Sequence, residues 1–321
     1  MKGLRGLIAA ASLFGLLAAS LVAGARAEST LVIGYVTKSA TNQGWMLINK
    51  GAQDAADDAN VRLIVAGPSS QGALAGQIYA IERVISEGAK AVAIAQVDSN
   101  GIATIVRRAT AKGIPFIGVD TAIEDSSAKS YVGTDNVAAA RAQAEWLAGA
   151  VGDSDKVILV NGSLSQSTGR DRRQGFLDRL QELKPNVAVL EVYTDWVSGQ
   201  AESGVNQQLR AHPDVAAIAN AWDDGTLGAV AALRTLQFPK GKVRVIGFDA
   251  APNALALLRD GWIQADVAQM LYKEGYDGVK TAIAAAKGEP VPPRVDTGYQ
   301  LVTAENLDRF IADNKLSDFM R

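Results

Sequence analysis

The sequence predicts an α/β protein made of two similar, doubly wound parallel-sheet lobes. The first observation behind this is a rhyme between two stretches. Ile114-Pro115-Phe116-Ile117-Gly118-Val119-Asp120 and Val243-Arg244-Val245-Ile246-Gly247-Phe248-Asp249 are apolar, mostly β-branched runs, each ending Gly, one apolar residue, Asp. Such runs read as strands buried on both faces of a parallel sheet. Ligands of open α/β sheets sit beyond the carboxyl ends of these strands. Each half of the chain therefore offers one carboxylate to a shared cleft, the alternative being two unrelated aspartates that cap the next turn. The second observation is an unbroken alternation of strand and helix signals. The third is that the pattern restarts after one polar stretch, 124–130, with no low-complexity linker. Several short crossings between the lobes are expected rather than one tether.

In order, the apolar runs predict strands over 31–37, 61–66, 91–96 and 114–119, with helices over 45–59, 71–88 and 101–112 between them. Gly88 is the expected stop of its helix. Beyond the polar stretch, strands are expected over 157–161, 187–193, 215–219, 243–248 and 263–269, again with helices between. A helix over 168–183 ends before Pro185, Pro213 opens the turn into the next strand, and a last helix covers 272–287.

Residues 1–27 have the layout of a secretory signal peptide: Lys2 and Arg5, an uncharged apolar run from Leu7 to Val22, then Ala25-Arg26-Ala27. Cleavage is expected after Ala27. The competing reading, a membrane anchor, is weakened by the Ala, Gly and Ser that dilute the run. Removing 27 of the 321 residues leaves 294, enough for two domains with their own cores. Lys2, Arg5 and Arg26 leave with the signal, so 32 basic residues become 29 against 34 acidic ones, a net charge of −5. That balance argues against a nucleic-acid partner, which needs a basic face. The chain has no Cys, so an exported fold of this size rests on burial rather than disulfides. The expected location is a bacterial periplasm, and the expected state a soluble, monomeric protein.

Much chemistry is missing. The single histidine, His212, stands in Ala-His-Pro-Asp at an expected helix end. There is no Cys nucleophile, no His-x-x-x-His pair, no Gly-x-Ser-x-Gly elbow and no phosphate-binding Gly-x-x-x-x-Gly-Lys-Ser/Thr loop. Neither a metal nor a cofactor is expected. Acid–base work would fall to carboxylates, and paired carboxylates hydrolyse glycosides. A glycosidase acting through Asp120 and Asp249 thus stays open as a rival to reversible ligand capture.

The chain resembles the periplasmic sugar-binding proteins of the ribose-binding type, the substrate-capturing components of ABC importers with the type I periplasmic binding fold. The marks are Gly51-Ala52-Gln53, Ile114-Pro115 with Val119-Asp120, Gly133-Thr134-Asp135-Asn136 and Arg170-Asp171-Arg172 with Gly175-Phe176. Others are Ala211-His212-Pro213-Asp214-Val215, Val245-Ile246-Gly247-Phe248-Asp249 and Val267-Ala268-Gln269. Repressors resembling the lac repressor share this core but carry a helix-turn-helix where this chain has its signal. The resemblance implies three crossings, near Gly133–Thr134, just after Gln269 and near Gly298. The lobes would be 28–134 with 270–298, and 135–269 with 299–321. It implies a sugar or polyol ligand, a membrane permease that docks the protein directly, and that permease's ATPase. The same closure would also serve a receptor for a membrane sensor.

By the same resemblance, Asn42, Trp45 and Asp120 face the ligand from the first lobe. Arg170, Trp196, Trp222 and Asp249 face it from the second, and Gln269 from a crossing. Carboxylates and an Arg fork give directional, charge-assisted hydrogen bonds to hydroxyls, and aromatic faces cover the C–H faces of a sugar ring. Three positions depart from the ribose binders: Ala95 and Trp222 where they place Asn, and Thr121 where Arg follows the Asp. Lys38, just past the first strand, supplies the missing charge if its side chain reaches the cleft, and Thr121 would then face the ligand with it; the preferred alternative is an exposed loop lysine. The ligand is therefore expected to be another pentose, a deoxy- or methylated sugar, a polyol or a sugar acid.

Overall fold

The computed structural model describes residues 30–67 and 73–320. The expected signal peptide and the start of the 71–88 helix lie outside these residues. The chain runs β1 (Val32–Val36), α1 (Gln43–Asp58), β2 (Arg62–Ala66), α2 (Leu74–Ser86), β3 (Ala91–Ile94), α3 (Ala103–Thr110), β4 (Phe116–Val119) and β5 (Ser130–Gly133). It continues through α4 (Asn136–Ala150), β6 (Lys156–Asn161), α5 (Ser167–Leu183), β7 (Ala188–Tyr193), α6 (Ser198–Ala211), β8 (Ala217–Asn220), α7 (Asp223–Thr235) and β9 (Arg244–Asp249). Then follow α8 (Pro252–Arg259), β10 (Ala265–Gln269), α9 (Leu271–Ala286), β11 (Arg294–Asp296), β12 (Tyr299–Thr303) and α10 (Leu307–Asp313).

The strands form two six-stranded sheets with matching orders, β11-β5-β4-β3-β1-β2 and β12-β10-β9-β8-β6-β7. Every pair is parallel except β10 with β12. The central strands are buried throughout: β3, β4 and β8 expose no residue, whereas the edge strands β2 and β7 present polar and partly exposed positions. That contrast is the reason the apolar runs are readable as strands. In each sheet the first strand, β1 or β6, pairs on both sides, so the connections diverge there. This is the crevice at which open α/β sheets take ligands.

Several elements differ from expectation. β5 occupies the end of the polar stretch, and β11 and β12 are too short to announce themselves. β8 starts at Ala217 rather than 215, because Val215 closes a turn onto the carbonyl of His212. His212 itself ends α6, its N–H donating to Gln208 O. Gly88 follows α2 with φ +100°, a conformation that favours glycine.

The chain passes between the sheets three times: from β5 to α4, which packs on the second sheet; from β10 to α9, which packs on the first; and from β11 to β12. α9 lies directly on α1, and the contact is backbone to backbone: a β-carbon at Gly51 would collide with Tyr272 O, and one at Gly275 with Ile48 O. All three passages meet at one side chain. Glu274, in the first turn of α9, accepts at Oε1 from Thr134 N (3.2 Å) and Thr134 Oγ1 (3.1 Å), and Thr297 Oγ1 donates to it at 3.4 Å. Thr134 Oγ1 also lies 3.2 Å from Gly298 O. Glu274 is fully buried and its Oε2 has no partner. Burial, with Asp120 adding repulsion, pushes its carboxyl up to about 8, so it is an uncharged acid at neutral pH.

A carboxyl that keeps its proton to about 8 in the fold, but releases it near 4.5 when unfolded, binds more protons in the native state across that window. Stability therefore falls as pH rises between those values, by up to about 1.4 kcal/mol per pH unit for one retained proton. Glu274→Gln, uncharged at every pH, flattens this limb in thermal unfolding measured from pH 5 to 8.5. A variant curve parallel to the wild type would assign the proton elsewhere.

Candidate ligand-binding site

The carboxyl ends of the two sheets face each other across a cleft that is narrow in this conformation. Lys38, Asn42, Trp45 and Asp120 line it from the first lobe, and Gln166, Thr168, Arg172, Trp196, Trp222 and Asp249 from the second. Gln269 and Leu271 line it from the second crossing.

Lys38 lies two residues past β1 and is buried. Its Nζ donates to Asp120 Oδ2 (3.0 Å), Thr121 Oγ1 (2.7 Å) and Gln166 Oε1 (2.8 Å), which accounts for all three of its protons. Thr121 passes the arrangement on, its hydroxyl donating to Asp120 Oδ2 at 2.6 Å. Asp120 follows β4 with φ +61°, and Tyr131 Oη donates to its carbonyl at 2.7 Å. Burial opposes the Asp120 charge, but Lys38 and then Arg172 outweigh it and hold the carboxyl below the usual range. Burial lowers Lys38, with Asp120 pulling it back. Asn42 caps α1, accepting from Trp45 N at 3.0 Å, while its Nδ2 crosses to Asp224 Oδ2 at 2.7 Å. The cap is what fixes Trp45 in the first turn, facing the cleft.

In the second lobe, Arg172 occupies the place expected of Arg170. Its Nε donates to Asn136 Oδ1 (2.7 Å) and one Nη to Ala221 O (2.6 Å) and Asp249 Oδ1 (3.3 Å), and its guanidinium lies 4.0 Å from the Phe248 ring centroid. Arg170 is instead at the partly exposed rim, donating to Leu164 O and paired with Glu124. The correction follows from helix geometry. Residues two apart on a helix are about 200° apart, and the buried stripe of α5 runs Thr168, Gly169, Arg172, Gly175, Phe176. That 3–4 spacing marks Arg172 in the sequence itself.

Asp249 ends β9 and accepts from Gln269 Nε2 (2.7 Å) and Arg172 at Oδ1, and from Asp223 N (3.4 Å) at Oδ2. Burial pushes it up to about 6, against the pull of Arg172. Trp196 and Trp222 meet edge to face, centroids 5.3 Å apart at 87°. Each ring lies over a glycine: side chains at Gly162 and Gly225 would run into Trp196 and Trp222. Trp196 Nε1, Trp222 Nε1 and Gln269 Oε1 are buried without a hydrogen-bond partner in the protein. All three residues line the cleft, and leaving such groups unmet costs about 1–3 kcal/mol each.

Gln166 and Thr168 were not singled out from the sequence. Gln166 is buried and spans the lobes, its Oε1 accepting from Lys38 Nζ and its Nε2 donating to Val97 O at 3.0 Å. On the side away from the crossings the lobes also touch directly, through Ser99 N to Ser165 O (3.1 Å), Ser167 N to Ser99 Oγ (2.9 Å) and Ala122 N to Ser167 Oγ (3.0 Å). The conformation is a closed one. No helix among the described residues is long and apolar enough to cross a membrane, and no cluster of His, Cys, Asp or Glu among them suits a metal ion.

The ribose import binding protein of Escherichia coli strain K12 is 30% identical over 95% of this chain and 99% of its own length. A carbohydrate transporter solute-binding protein of Agrobacterium radiobacter, solved with D-arabinose, is 28% identical, with a TM-score of 0.83 over 92% of this chain and 100% of that one. An ABC transporter solute-binding protein of Agrobacterium vitis, bound to α-D-tagatopyranose, is 26% identical with a TM-score of 0.83, covering 91% and 99%. Residues 33–290 match the family model for a periplasmic binding protein domain. With two matched lobes shut on a polar, aromatic-walled cleft, this chain belongs to the periplasmic binding protein family.

Proposed function

We propose that this protein captures an uncharged monosaccharide or polyol in the inter-lobe cleft and hands it to the permease of an ABC importer, whose ATPase drives uptake. The single observation that carries this reading is the closed cleft itself, where unpartnered indole N–H groups and the Gln269 carbonyl stand beside two balanced ion pairs. The sugars borne by the related solute-binding proteins support it. The lobes are read as 28–134 with 270–298 and 135–269 with 299–321, in keeping with the membership of the two sheets. Export with cleavage after Ala27, a periplasmic location and a monomeric state belong to the same reading.

Charge balance narrows the ligand. Lys38 has spent its three protons inside the protein, and Arg172 faces Asp249. Neither cation is left over for a carboxylate, which would enter the cleft uncompensated. A sugar acid is thereby disfavoured. The same pairing argues for a non-enzymatic role: Asp120 is tied to Lys38 and Thr121, and Asp249 to Arg172 and Gln269. Neither carboxyl stands free to shuttle a proton to a glycosidic oxygen.

Thermal unfolding against a panel of pentoses, hexoses, polyols, sugar acids and amino acids tests the assignment. A ligand at 100 times its dissociation constant adds about 2.7 kcal/mol, a shift of several degrees at this size. The expected result is a shift with a neutral sugar or polyol and none with sugar acids; a shift with an amino acid alone would overturn the sugar reading. In calorimetry, Asp249→Ala and Arg172→Ala each abolish measurable binding while the far-ultraviolet spectrum is unchanged. Arg170→Ala removes only a part-exposed rim ion pair, worth about 0–1 kcal/mol, and weakens affinity no more than a few-fold.

A further inference from the structure

The loop that carries Asp249 is strained. Asp249 has φ +116° and Ala250 φ +55°, two consecutive non-glycine residues in a region that L side chains avoid. What holds them lies behind the cleft, out of a ligand's reach. Asp266 on β10 accepts from Ala250 N at 3.0 Å through Oδ1, and Asp223 in the first turn of α7 accepts from Ala251 N at 2.7 Å through Oδ2. The backbone N–H of Asp223 also donates to Asp249 Oδ2. Both acids are fully buried.

Each therefore spends one oxygen on the loop. The other two, Asp223 Oδ1 and Asp266 Oδ2, are buried without a donor. They crowd the same bare backbone: a β-carbon at Gly247 would stand 2.7 Å from Asp223 Oδ1 and would also collide with Asp266 Oδ2, so the two oxygens are close neighbours. Two ionised carboxylates cannot face each other in an apolar interior; one proton between them turns repulsion into a strong hydrogen bond. The other groups around the pair do not supply that proton. Asp249 approaches from β9 with its own negative charge, and Arg172 from α5 is turned to Asp249. Asp224 on α7 is turned to Asn42, and Gln143 from α4 donates to the carbonyls of Asn220 and Gly247. Asp120 and Glu274 act on Asp249 and on each other across the cleft.

We infer that Asp223 and Asp266 are positioning residues that share one proton, and that this pair locks the loop after β9 in the conformation that aims Asp249 into the cleft. Ligand affinity then depends on a proton the ligand never touches. Burial, with the Asp266 charge beside it, pushes Asp223 well above the usual carboxylate range; burial, with Asp249 adding repulsion, pushes Asp266 up to about 7, so the shared proton is kept at neutral pH and lost on the alkaline side. The link to affinity rests on Asp249 being a ligand-binding residue; the shared proton does not.

Carbon-13 NMR titration of the aspartate carboxyls in the ligand-free protein tests the proton directly, with signals assigned through Asp223→Asn and Asp266→Asn. One proton should stay on the pair above pH 6; two carboxyls titrating below pH 5 overturn the proposal. Calorimetry from pH 6 to 9, with the sugar the thermal panel identifies, tests the consequence. Wild-type affinity should fall about tenfold toward pH 9. Asp266→Asn, whose amide donates to Asp223 Oδ1 without titrating, should bind with nearly constant affinity, and Asp223→Asn likewise. An alkaline loss that persists in both variants, or that disappears instead in Glu274→Gln, overturns the proposal. Failure of every sugar to bind overturns the reading of the cleft, while the carboxyl titration still decides the shared proton.

Discussion

The cleft depends on keeping two cations dry at the same time as two carboxylates. An ammonium taken out of water costs several kcal/mol unless acceptors replace the water it loses. Lys38 finds two of its three acceptors, Asp120 and Thr121, in its own lobe, and the third, Gln166, in the other. Opening the lobes exchanges one protein acceptor for water and leaves the ion pair intact. Asn42 behaves the same way, capping α1 in its own lobe and reaching Asp224 in the other. Closure is thus built from near-neutral swaps, which keeps open and closed states close in free energy. That closeness is the condition under which a small ligand can tip the equilibrium.

The crossings beside the cleft obey the same economy with the charge removed. Three chain passages converge on Glu274, a carboxyl that burial keeps protonated and that takes hydrogen bonds from the passages on either side of it. A neutral acid at a pivot can be rearranged without dragging an ion through an apolar interior. Around it, Gly51 and Gly275 bring the backbones of α1 and α9 into contact, so the helix that starts at the second crossing is seated firmly on the first lobe. On the proposed reading, opening and closing would fall to the short segments between β5 and α4, β10 and α9, and β11 and β12.

Much of this is legible in the sequence, and the limits have physical causes. The buried central strands declare themselves because both faces are apolar, so the rhyme ending in Asp120 and Asp249 marks the carboxyl edges of two sheets. Lys38 is only half readable: the missing neighbouring cation makes it a candidate, but a lysine two residues past a strand reads equally as an exposed loop residue until its burial on Asp120 and Thr121 is seen. β5, β11 and β12 are not, because three to five residues of mixed polarity carry no periodicity. Motif position alone points to Arg170, whereas the 3–4 stripe of α5 points to Arg172. Gln166 lay beyond reach: a glutamine in a Ser-rich loop carries no signal until the other lobe closes over it. The pairing of Asp223 with Asp266 is equally silent, as their contact exists only once α7 and β10 are folded onto the same sheet.

The arrangement of charge also bears on how the cleft tells one ligand from another. With Lys38 matched by Asp120 and Arg172 by Asp249, the site presents fixed dipoles rather than a net field, and an uncharged ligand is distinguished by where its hydroxyls point. Trp222 stands where the ribose binders carry Asn, so a polar partner has been exchanged for an apolar wall set at right angles to Trp196. A hydroxyl directed at that wall would lose its water without gaining an equal partner, except where an indole N–H meets it. A methyl, a hydrogen or the C–H face of a ring loses nothing there. On the proposed reading, the second lobe selects for a ligand with one apolar corner and hydroxyls on the edges that face Asp249, Arg172 and Gln269. Discrimination comes as much from the hydroxyl the cleft refuses as from those it binds.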